Sequence, residues 1–121
     1  MAASMTLTET TWSSVKKIKA AWTSGSDGSV SGTTTEVYNG RILGAITVPG
    51  TGGDAPDDNY DIAVNDSDSV DIALGALANR DTANTEFVTE ASMAGAAATK
   101  LTIAVTNAGD TNKGTLYLYV R

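Results

Sequence analysis

The feature that most constrains this chain is a hydrophobic pattern of period two. Tyr60, Ile62 and Val64 alternate with Asp61, Ala63 and Asn65, and Val70, Ile72 and Leu74 with Asp71 and Ala73. Leu101, Ile103 and Val105 alternate with Thr102, Ala104 and Thr106, and Leu116, Leu118 and Val120 with Tyr117, Tyr119 and Arg121. Successive side chains of a strand point to opposite faces, so each segment reads as a strand with one face on a core and one toward water. An amphipathic helix needs apolar residues at i, i+3 and i+4, which these segments do not offer.

The same reading predicts further strands at 15–23, 33–38, 41–48 and 84–90. Between the second and third of these stand Asn39 and Gly40, a pair that takes positive φ easily and suits a two-residue hairpin turn. Stretches 24–32, 49–58, 66–69 and 107–113 are rich in Gly, Ser, Asp and Asn and read as turns and loops. About eight short strands with frequent turns predict an all-β fold, an antiparallel β-sandwich of jelly-roll type. Residues 91–99 (ASMAGAAAT) are helix-compatible but short and carry Gly95, so a single turn or loop crossover is expected there. Residues 1–12 are polar, Thr-rich and without period; they read as a flexible N-terminal arm ahead of one sandwich domain at 13–121.

Composition decides how much support such a sandwich needs. Ile, Leu, Val and Phe sum to 23 of 121 residues, just under the ~20% below which highly charged chains tend to disorder. Burying a Val, Leu or Ile gives about 1.5–3 kcal/mol, while ordering each residue costs about 1–2 kcal/mol of backbone entropy. A core this sparse must be well patterned or supported by a neighbouring molecule.

The chain has no cysteine and no histidine, which removes disulfides, Cys/His metal clusters and imidazole catalysis. A net charge of −6 supplies no attraction to nucleic acid or to an anionic membrane, so neither is expected as a partner. No apolar run approaches the ~18 residues of a membrane span, and residues 1–11 lack the basic-then-apolar order of a secretory signal.

The acids invite a calcium reading. Asp66 and Asp68 alternate as a calcium loop begins, with Asp71 close behind, but the central Gly is missing and Leu77 stands where a bidentate Glu is needed. The plainer reading is a solvated turn whose aspartates cap their own backbone, with Asp61 and Asp71 pointing outward into water. No carboxylate pair, nucleophile elbow or phosphate loop is recognisable. The chain is therefore not expected to be an enzyme, and no catalytic, cofactor or metal residue is assigned.

Two groups invite an interaction reading. Lys16, Lys17 and Lys19 cluster in a chain with only 8 basic residues; they suit an acidic partner surface or the protein's own Asp-rich loops across a subunit boundary, or they guard a strand edge against unwanted pairing. Because strand side chains alternate, the three cannot share one face. Trp22 and Tyr60 read as core. Tyr117 and Tyr119 lie two residues apart on the outward face of the last strand, about 7 Å apart, as a protein contact, a surface under a neighbouring loop or a sugar platform. Trp12 reads as an anchor onto a neighbour.

From Trp22 through SGTTTEVYNGRIL, then ITVPG, APDDNYDIAVND, ALANRD, KLTIAVTNAG and the terminal KGTLYLYVR, the sequence resembles small structural proteins of tailed bacteriophage virions, over residues 15–121. The resemblance implies a β-sandwich that decorates or cements a capsid, commonly as a homotrimer bound to the major capsid protein. It also implies location on the virion surface after synthesis in the host cytoplasm. Proteins of similar build serve tails and necks, and a carbohydrate-binding module using Tyr117 and Tyr119 is the alternative of a different class. Partner contacts are expected at Trp12, Lys16, Lys17, Tyr117 and Tyr119.

Overall fold

A computed structural model describes residues 2–121, and among these the chain forms nine strands and two short 3-10 turns. The strands are β1 (Ser4–Trp12), β2 (Val15–Thr23), β3 (Val30–Thr33), β4 (Tyr38–Pro49), β5 (Asp61–Asn65), β6 (Glu86–Thr89), β7 (Gly95–Thr99), β8 (Thr102–Thr106) and β9 (Lys113–Val120). The fold is all-β and every pairing is antiparallel.

The larger sheet runs β1-β2-β9-β4-β6, with β7 also on β4; the smaller runs β3-β8-β5. From β2 onward the chain alternates between sheets: β2 large, β3 small, β4 large, β5 small, β6 and β7 large, β8 small, β9 large. This wrapping of one core is the jelly-roll arrangement. The two sheets close on Ile18, Trp22, Ile42, Leu116 and Leu118 from one side and Ile62, Val64, Ile103 and Val105 from the other, all buried. As expected, Trp22 and Tyr60 lie in this core, their rings 5.6 Å apart and tilted.

Several expectations are corrected. Residues 4–12 are not a loose arm but strand β1, hairpinned onto β2 through Ser13 and Ser14, with Trp12 opposite Val15 and Ser4 opposite Thr23. Met5 and Leu7 pack against the core while Thr6, Thr8 and Thr10 face out. The period is hard to see in the sequence because threonines fill the outward positions and the inward row is short.

Residues 70–74 do not form a strand. Residues 66–80 run in turns along the free edge of β5, joined to it by bridges from Asn65 to Asp71 and from Tyr60 to Arg80, and by the Ile62 N–H donating to the Leu77 carbonyl at 3.0 Å. The Asp71 carboxylate is the cause: it accepts the N–H groups of Val64 (3.0 Å), Ala73 (3.0 Å) and Gly75 (3.1 Å) and curls the chain before a ladder can extend.

Asn39 and Gly40 lie inside β4 rather than at a turn. Gly40 sits at φ 123, and a Cβ there would collide with the Arg121 carbonyl, whose oxygen accepts the Arg41 N–H at 2.8 Å. Glycine is needed for close strand approach at a bulge, not for reversal. Accordingly the predicted strand at 33–38 breaks: β3 ends at Thr33 and β4 begins at Tyr38. The Ala-rich 91–99 segment becomes a 3-10 turn at Glu90–Ser92 followed by β7. Together β6 and β7 form one interrupted edge strand along β4.

Candidate interface on the outer sheet face

The outward side chains of the larger sheet follow directly from its register. One row runs Thr10, Lys17, Tyr119 and Gly44 across β1, β2, β9 and β4; the next runs Thr8, Lys19, Tyr117, Ile46 and Phe87, reaching β6. Trp12, at the β1–β2 hairpin, continues this face and is 83% exposed, while Phe87 is 62% exposed. Tyr117, Tyr119 and Ile46 are half-buried by their neighbours. The outcome is an aromatic and aliphatic surface over the central strands, flanked by lysines.

Strand parity sorts the three lysines. Lys17 and Lys19 share the outer face, whereas Lys16, opposite Val120, lies on the other parity and is half-buried at the end of the sheet. The Lys17 ammonium lies 5.2 Å from the centroid of the Tyr117 ring and that of Lys19 lies 6.0 Å away. Such contacts are worth about 0.5–1 kcal/mol at exposed sites, and they place positive charge over the ring face where a sugar would stack. Of the expected contact residues, the fold therefore brings Trp12, Lys17, Tyr117 and Tyr119 to one surface and leaves Lys16 off it.

Phe87 is a member of this surface that sequence reasoning missed. Its β6 neighbours Glu86 and Val88 point the other way, and its ring covers Gly44, where a Cβ would come within 2.9 Å of Phe87 Cε1. An isolated large aromatic in a polar edge segment is the signal the sequence offers. The glycine beneath it becomes visible only through the β4–β6 pairing.

The hairpin carrying Trp12 is fastened by Glu9. Its carboxylate accepts the N–H of Thr35 (2.9 Å), the N–H of Glu36 (3.0 Å) and the hydroxyl of Tyr38 (2.9 Å), tying β1 to the loop between β3 and β4. Burial opposes the ionised form of Glu9. The three hydrogen bonds and the charge of Lys100 together outweigh that, so its carboxyl is held below the ordinary value of 4.5. Tyr38 is shifted upward, first by burial and then by donating to this carboxylate.

The aspartates act mainly on backbone. Asp66 accepts the N–H of Asp68 (2.9 Å) and of Val70 (3.0 Å), the self-capped turn of the plainer reading. Asp61 and Asp71, expected to be solvated, are half-buried and engaged: Asp61 accepts the Asn79 N–H (2.9 Å) and the Asn107 side-chain amide (2.6 Å). Among the described residues, no three carboxylates converge as a cation site.

Comparison with known protein families, curated proteins and solved structures gives no match.

Proposed function

We propose that this chain is a structural protein of a phage virion, a decoration or cement protein that adheres to the capsid as a homotrimer. The observation that carries the reading is the outer face of the larger sheet, where exposed Trp12 and Phe87 flank Tyr117 and Tyr119 on a rigid scaffold. Aromatic side chains on such a scaffold lose little conformational entropy when covered, and they are the typical anchors of protein contacts. The sparse core supports the same reading, because a partner that engages only the folded chain adds to its stability by mass action. Jelly rolls serve viral shells and lectins alike, so the fold agrees with the proposal by analogy alone. The lysine ammonium groups over Tyr117 favour a protein surface over a sugar ring.

The test is attachment to purified, expanded shells of the phage that encodes the chain. Wild type should bind saturably in co-sedimentation. A Trp12→Ala, Phe87→Ala double variant should weaken binding by roughly 30-fold or more, the loss of about 2 kcal/mol expected for one good anchor. Absence of shell binding, or glycan binding abolished by Tyr119→Ala, would overturn the proposal.

A further inference from the structure

The register of the larger sheet also sorts its charges. Among the described residues, the outward positions of β1, β2, β9, β4 and β6 hold Lys17, Lys19 and Lys113 and no aspartate or glutamate. The two acids within these strands lie on the opposite parity. Glu9 reaches the 35–38 segment, and Glu86 accepts the Asp81 N–H at 2.9 Å beside Arg80. Glu90, just past β6, is paired with Arg41. Yet the chain carries 14 acids against 8 bases, a net charge of −6. Setting those three lysines aside leaves −9 on everything else, so this face is a cationic island on an acidic protein.

Water satisfies an exposed lysine, so these side chains demand no partner by themselves. What they do is select one. A surface bearing carboxylates is attracted to this face and repelled by the acidic remainder, so the two molecules are oriented before they touch. A basic surface is drawn to the remainder and turned away here. The charge also sits at the aromatic centre, since Lys17 and Lys19 hold their ammonium groups 5.2 and 6.0 Å from the centroid of the Tyr117 ring. That placement disfavours single-stranded nucleic acid, the other polyanion suited to lysines among aromatics, because a base stacks on an open ring face. Three lysines also give few phosphate contacts, and the rest of the chain repels phosphate.

We infer that the shell surface received by this face is acidic, presenting carboxylates to Lys17 and Lys19 around Tyr117. The inference rests on the adhesive reading of this face and names the chemistry of its partner. Aromatic area alone leaves the partner's charge open; a face without carboxylates on an acidic chain closes that choice.

Co-sedimentation of the full chain with purified expanded shells, at ~25 mM and ~300 mM salt, tests this. The Lys17→Gln, Lys19→Gln variant should bind roughly 10-fold more weakly than wild type at low salt, and the gap should close at high salt as the charges are screened. A merely misfolded variant would bind poorly at both. Lys16→Gln, Lys100→Gln removes the same charge from positions off this face and should change affinity by less than about 2-fold. Equal loss in the two variants, a gap that persists at high salt, or binding indifferent to all four lysines overturns the inference and leaves the decoration proposal standing. Absence of shell binding by wild type overturns that proposal, and the inference with it. In a parallel arm, oligothymidylate captured by wild type but not by Lys17→Gln, Lys19→Gln would assign the face to nucleic acid and overturn the inference as well.

Discussion

Replacing Glu9 by glutamine probes the contact that turns the N-terminal segment into a strand. The carboxylate accepts three hydrogen bonds from the 35–38 segment, at 2.9, 3.0 and 2.9 Å. A hydrogen bond to a charged group contributes about 1.5–3 kcal/mol, against about 0.5–1.5 for a neutral one. The substituted amide keeps one acceptor oxygen and places an N–H donor where the second oxygen faced another donor. Glu9 is only half-buried, so solvent screening reduces the difference, and a loss of about 2 kcal/mol at neutral pH is expected. At this chain length that lowers the melting temperature by about 8 °C. The pH dependence gives the sharper test. The folded-state pKa of Glu9 lies below 4.5, so its contribution is complete above the unfolded value and is lost as pH falls through the folded one. Thermal melts of wild type and Glu9→Gln should therefore differ at pH ~7 and converge near pH ~2. A gap that persists unchanged into acid, or one below about 0.5 kcal/mol at neutrality, would refute the assignment of β1 stability to this carboxylate.

Two further substitutions test the corrected parts of the fold. Gly40→Ala should destabilise by roughly 3 kcal/mol or more in chemical denaturation, because it adds positive-φ strain to a collision with the Arg121 carbonyl; a change below about 1 kcal/mol would contradict the bulge. Asp71→Asn should cost about 2 kcal/mol by the same measurement, since one of its two accepting oxygens becomes a donor facing backbone N–H groups, while Asp68→Asn should stay within about 0.5 kcal/mol. Equal effects at the two aspartates would remove Asp71 as the organiser of the 66–80 turns.

Read alone, the sequence determined the all-β class, the jelly-roll expectation and most of the core. Period-two alternation assigns each residue to a face wherever one face is strongly apolar, as in β5, β8 and β9. It also required the three lysines to split between faces, although burial of Ile18 and Ala20 was needed to show that Lys17 and Lys19 point outward. Tertiary structure decided the rest, and in each case a contact distant in sequence overrode a local signal. Threonine-rich β1 gains order from β2 and from Glu9 reaching the 35–38 loop. The alternating residues 70–74 lose their ladder to the Asp71 carboxylate, and Gly40 serves a close approach to Arg121 instead of a turn. The candidate interface is tertiary for the same reason. Trp12, Lys17, Tyr117 and Phe87 belong to four strands, and only the register of the larger sheet places them side by side. Local alternation can orient a side chain, but hydrogen bonding between strands far apart in the chain determines which side chains become neighbours.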